Sequence, residues 1–192
     1  MPLVDANLIT GKGTTLKAAL AFVEARFGSE GIERLTVELG ADEARMVKGM
    51  VLSGGKYPLA KLVAVYEAID RVFGRGDLAL CWDIGKFAGD YEVNLLHKVF
   101  LNVARLEYWL KISGASWRFY YSHGKLTAAI EPGKGYVRLG EFNPISKAFC
   151  YRFGGWIHAI IELSRKTGVA VRHTECVLDG KPLCVWEGRW DE

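Results

Sequence analysis

The residues in this chain whose types and spacing could do chemistry are four cysteines, at 81, 150, 176 and 184, together with His173. Cys176 and Cys184 flank Val177-Leu178-Asp179-Gly180-Lys181-Pro182-Leu183, and a turn centred on Gly180 sets them opposite each other with side chains on one face of an antiparallel pair. Two thiols that close in a reducing compartment suit either a labile disulfide or a soft metal ion. Cys150, on the helix before the hairpin, and His173 are the further donors within reach. Thiolate and imidazole favour zinc, and four protein ligands would make a closed structural site with no position for water. Three thiolates around a dication leave one net negative charge, which Arg172 or Lys181 is placed to offset. One geometric condition applies. Residues 173 and 176 are three apart and face opposite sides of a regular strand, so a bulge or twist is required. From spacing alone, the cysteines read equally well as small buried hydrophobes and His173 as a surface residue. Cys81 stands outside the set and reads as core.

The rest of the chain sets no competing catalytic constellation. Gly11-Lys12-Gly13-Thr14-Thr15 superficially suggests a phosphate loop, but Ala6 stands where that motif needs glycine and Lys12 is followed by Gly13 rather than Ser or Thr. His97 has only Glu92 and Glu107 nearby in sequence and reads as structural. Nucleophile-elbow and zinc-protease motifs are absent, so no hydrolase reading is supported. The 192 residues are half apolar, with 25 Lys+Arg against 22 Asp+Glu and a net charge of +3. That is the composition of one ordinary globular domain spanning 1–192. The charges are spread rather than clustered, which disfavours nucleic-acid binding. No apolar run approaches a membrane span and the N-terminus is unlike a signal peptide, so a cytoplasmic location is expected.

These side chains must be positioned by the elements around them. Helical spacing marks segments at 14–27, 30–39, 41–52 and 57–73, then 78–87 and 93–112, giving a helical half over 14–113. From Gly114 the alternation of Trp117, Phe119 and Tyr121 reads as a strand, followed by strands at 126–131 and 136–140. A helix from Asn143-Pro144 to about Lys166 and strands at 169–176 and 183–190 complete a sheet-plus-helix half over 114–190. The expected fold is α+β: a helical N-terminal half, then a four- to five-stranded antiparallel sheet with a covering helix, in the order ααααα-βββ-α-ββ.

The stretch Cys176-Val-Leu-Asp-Gly180-Lys-Pro-Leu-Cys184-Val-Trp186 resembles the closing signature of the 4-vinyl reductase domain. That domain belongs with TRAPP vesicle-tethering subunits and phenol-responsive bacterial sensors in a superfamily of nitric-oxide-signalling and Golgi-transport ligand-binding domains. The resemblance implies an α+β fold and a zinc ion held at the positions of Cys150, His173, Cys176 and Cys184. Histidine replaces the acid found in those sensors, with Glu175 as the substitute if the backbone differs. The N-terminal half, through Phe27-Gly28-Ser29-Glu30-Gly31-Ile32-Glu33-Arg34-Leu35 and Tyr57-Pro58-Leu59, is similar to a family of unknown function multiplied in myxobacteria.

Aromatic residues concentrate around the sheet and its helix, where the related domains place an apolar ligand pocket. The candidates are Tyr108, Trp117, Phe119, Tyr121, Trp156 and His158, with Tyr108, Trp117, Tyr121 or His158 as polar anchors. Phe149 and Tyr136 belong to the same group, and a filled aromatic core is the competing reading. The expected function is a non-enzymatic regulatory or sensory domain that binds a small apolar or aromatic molecule, with structural zinc and a homodimeric state. The alternative is a protein-interaction module resembling TRAPP subunits, acting with a protein partner such as a small GTPase.

Overall fold

The computed structural model describes residues 4–96 and 106–191, and side chains outside 92–112. Two short strands, β1 (Thr10–Lys12) and β2 (Lys56–Pro58), pair antiparallel beside the helices α1 (Gly13–Phe27), α2 (Ser29–Val37), α3 (Ala41–Lys48) and α4 (Leu59–Phe73). In α4 the buried residues Leu59, Leu62, Val63, Tyr66 and Ile69 fall on one helical face, as the apolar spacing requires. The glycine-rich start of α1 is closed to ligands by its own fold: the Gly13 amide donates to the Gly55 carbonyl at 2.9 Å and the Thr14 amide to the Ser53 carbonyl at 3.1 Å.

Two helices follow, α5 (Ala79–Leu96) and α6 (Leu106–Tyr120). Buried Asp70 starts α5, accepting from the amides of Leu78 and Leu80, both at 2.9 Å, which gives its carboxylate partners in the core. The segment expected to be a strand from Gly114 is instead the end of α6. Spacings of two and four residues serve either period, and here the helical one wins. Trp117 and Tyr121, four apart, are buried and stacked at 4.4 Å, while Phe119 between them is 55% exposed.

The main sheet has four antiparallel strands in the order β3-β4-β6-β5: β3 (Lys125–Glu131), β4 (Lys134–Gly140), β5 (Ala170–Glu175) and β6 (Cys184–Arg189). The covering helix α7 (Lys147–Leu163) begins at a Ser146 cap whose hydroxyl accepts from the Ala148 amide at 3.2 Å. The α+β fold expected from sequence is therefore present. Helix α7 is held against α5 at backbone distance. A Cβ on Gly85 would fall 1.9 Å from the Arg152 carbonyl oxygen, and one on Gly155 would fall 2.0 Å from that of Trp82, so only glycine permits the approach. A continuous apolar cluster joins Leu16, Leu62 and Ile84 on the helices to Trp117, Phe149 and Trp186 around the sheet.

Candidate functional site

Two features converge on α7. At its N-terminal end, Cys150 faces the β5–β6 hairpin. Its Sγ lies 3.9 Å from that of Cys176, and Cys176 Sγ lies 3.8 Å from that of Cys184. The donor atoms of Cys150, His173, Cys176 and Cys184 all lie within 4.8 Å of one another. The β5–β6 register runs His173↔Trp186 and then Glu175↔Val185, with a shift between them. This bulge turns His173 to the face that the cysteines share. Glu175 is exposed and outside the cluster. The His173 ring stacks on Trp186 at 4.7 Å, and its Nε2 is buried with no hydrogen-bond partner. One imidazole nitrogen and three sulfurs within 4.8 Å of one another are the donor arrangement of a soft-metal site.

The electrostatics divide the thiols. The hydrogen bond from Cys150 holds the Cys184 thiol down to about 4, against the opposing effect of burial and with help from His173. The same donor holds Cys176 down to about 7. Cys150 is pushed up by its bonds to Cys176 and Cys184, so the last proton stays on the helix and the negative charge on the hairpin. The offsetting cation differs from expectation. Arg172 and Lys181 are exposed, whereas Lys147, one turn before Cys150, pairs with Asp179 on the hairpin turn (Val177–Asp179). Burial works against the Lys147 charge, but Asp179 and the adjacent Cys176 outweigh it and raise its pKa. Cys81 lies apart in the core, its Sγ bonded to the Tyr66 carbonyl at 3.5 Å.

Further along α7 is a cavity of about 90 Å³ between the end of α6, the faces of β3 and β4, and α7 itself. Its wall is mainly apolar, including Leu126, Val137, Phe153, Ile157 and Trp190. Three of the sequence candidates line it: Trp117, Tyr121 and Trp156. Phe119 does not; it lies outward beneath the Lys12 ammonium, 3.0 Å from the ring centre. His158 does not line it either, because its Nε2 is bonded to Glu162 at 3.0 Å on the outer side of the helix. The Tyr108 side chain lies outside the described residues, as does His97. The anchor roles also change. The Trp117 indole N–H already donates to the His123 carbonyl at 2.7 Å, and the Tyr121 hydroxyl is 3.4 Å from the Arg152 guanidinium. Arg152, buried in the cavity wall, had no sequence signal. Phe153, Trp156, Ile157 and Ile160 share a helical spacing that could have pointed to it.

The fold is that of H-NOX domains. An H-NOX protein from S. oneidensis in the Fe(II) ligation state, carrying three substitutions, superposes with TM-score 0.72 at 13% identity over 94% of this chain and 96% of that one. A K. algicida H-NOX mutant, Fe(II) and unliganded, gives TM-score 0.69 at 12% identity over 94% and 97%. An oxygen-binding H-NOX domain related to soluble guanylate cyclases gives 0.67 at 11% over 94% and 95%. No protein-family model and no curated sequence matches the chain. The likeness is one of fold, and the 4-vinyl reductase and TRAPP resemblances are not reproduced at family level.

This corrects the expected cofactor. The solved neighbours are described by iron(II), nitric-oxide and oxygen ligation states, so structural zinc is not the group that goes with this fold. The cavity that the described residues line, about 90 Å³, falls below the roughly 300–1,000 Å³ of cofactor-sized sites.

Proposed function

We propose that this chain is a non-enzymatic sensory domain whose cavity between α6, α7 and the sheet binds a small apolar or aromatic molecule. The observation that carries this reading is the apolar cavity itself, preformed and walled by Trp117, Phe153 and Trp156. An engineered apolar cavity of about 150 Å³ admits benzene, so this one is sized for a guest of that order or smaller. The description of one structural neighbour as oxygen-binding favours the sensory reading over the TRAPP-like one. Calorimetric titration with benzene, phenol and indole tests it. One guest bound per chain by at least one of them supports the proposal; no binding of any of the three removes it.

The side-chain cluster supports a second role. Cys150, His173, Cys176 and Cys184 are a site for a thiophilic metal ion, favoured by four donor atoms within 4.8 Å of one another and by the unpartnered, buried Nε2 of His173. Cadmium titration followed by native mass spectrometry is expected to show one ion per chain, with binding lost in Cys176→Ser. Retention of the ion in that variant would place it elsewhere. Among the described residues no helix is long and apolar enough to cross a membrane.

A further inference from the structure

The three clustered sulfurs have a chemistry that metal binding does not use. We propose that Cys176 and Cys184 form a peroxide-oxidisable pair that closes to a disulfide when no metal occupies the cluster, with Cys176 as the central sulfur that can also exchange with Cys150. Cys176 directly follows the last paired residue of β5, Glu175, and Cys184 directly precedes its partner Val185 on β6, so the two flank the closed end of the ladder. Opposed residues in an antiparallel ribbon bring their Cβ atoms to about 4.5–5.5 Å, close to the spacing a disulfide spans. From 3.8 Å, side-chain rotation and a small adjustment of the hairpin bring the sulfurs to bonding distance without disturbing the sheet. Cys176 is as close to Cys150, at 3.9 Å, so it is the common partner of both alternatives.

The loop that joins the two hairpin cysteines lies at the surface. Residues 177–183 carry the turn Val177–Asp179, with Leu178 38% exposed and Gly180 and Lys181 in solvent, and the Lys147–Asp179 pair ties this turn to α7. Local opening of that tie is the route by which a reagent as small as hydrogen peroxide would reach the sulfurs. One thiolate attacks the peroxide, forming an S–O bond as the O–O bond breaks and hydroxide leaves to become water. The second thiolate then attacks that sulfur, forming the S–S bond and expelling a second hydroxide, and the two protons given up by the thiols turn both hydroxides into water. The two sulfurs are oxidised by two electrons in total and the peroxide is reduced. Cys81 is a built-in control: it is buried among α4 and α5 residues, bonded to the Tyr66 carbonyl and remote from the other three thiols.

The proposal uses the same side chains as the metal reading but does not depend on it, because its test is run on protein freed of metal by a chelator. The reduced full chain is exposed to hydrogen peroxide, unfolded in denaturant, and its free thiols counted and mapped by peptide mass spectrometry. The count is expected to fall from four to two, with Cys176 linked to Cys184 and both recovered by dithiothreitol. In Cys184→Ser the link is expected to move to Cys150–Cys176. In Cys81→Ala two thiols are still lost. A disulfide that includes Cys81, or oxidation to sulfinic acid with no S–S bond, would overturn the proposal. The wild-type map decides the matter alone if Cys184→Ser does not fold. Cadmium added before the peroxide is expected to block the link; failure of that protection counts against the metal reading while leaving the disulfide result standing.

Discussion

Helix α7 and strand β6 each pass through two regions of opposite character. Cys150 and Cys184 belong to a buried cluster where sulfur and imidazole donors crowd together, whereas Phe153 and Ile157 on α7 and Gly188 on β6 border a void with mainly apolar walls. The two are close. Cys150, Phe153 and Ile157 share one helical face, and from 150 to 157 the helix rises only about 10 Å. Trp186 stands between them, stacked on His173, edge-on to Phe153 at 5.0 Å and donating its indole N–H to the Cys150 carbonyl at 3.1 Å. The contrast shows how one helix face serves two ends. Small donors that attract one another close the first end, and large rings that cannot interlock leave space at the second. Gly155, turned away from that face, meets the Trp82 backbone and locks α7 onto α5, which fixes both ends.

The largest expected effect comes from breaking what the two regions share. Gly155→Ala places a methyl 2.0 Å from the Trp82 carbonyl oxygen, where backbone rather than a flexible side chain must yield. It should cost about 3 kcal/mol or more in denaturant unfolding and weaken both cadmium and guest binding. Trp186→Phe keeps a ring between the regions but removes the bond to Cys150. A loss of about 1–3 kcal/mol is expected, with cadmium affinity falling more than guest affinity in parallel titrations. Ala128→Leu fills the cavity from β3 and separates the regions most cleanly: guest binding disappears, cadmium binding remains, and stability changes by less than about 2 kcal/mol.

The smallest effect lies on the outer side of α7. Burial raises the pKa of Glu162, but the bonds from Lys86 and His158 outweigh it and the net shift is downward. Its contribution is therefore present above the ordinary glutamate range and is lost as pH falls through the lowered value. The Lys86–Glu162 pair, at 3.0 Å, is well exposed. Glu162→Gln should cost well under 1 kcal/mol at neutral pH, less in high salt, and the difference from wild type should vanish on acidification.

The thiol end was more legible in the sequence than the cavity end, for a physical reason. Cys176 and Cys184 are brought together by one local hairpin, so their spacing already specifies a shared face. His173 needed a bulge, which the three-residue offset demanded and the register shift between His173 and Glu175 supplies. Lys147 was missed because its partner Asp179 is brought near only when α7 packs over the hairpin. A void leaves no such local trace. It is the space remaining between α6, β3, β4 and α7, and a misread period on the first of these placed Phe119 in a wall it does not reach. Trp117 and Tyr121 were found because four-residue spacing puts both on the buried side of the helix that actually forms.

The most direct test of the central claim is the thermal midpoint of the wild-type chain and of Ala128→Leu, each measured with and without benzene, phenol and indole. For a guest present at about ten times its Kd, binding to the native state alone is expected to raise the wild-type midpoint by about 3–6 °C and to leave that of Ala128→Leu unchanged. No rise with any of the three, or an equal rise in both proteins, would contradict a small-molecule site in this cavity.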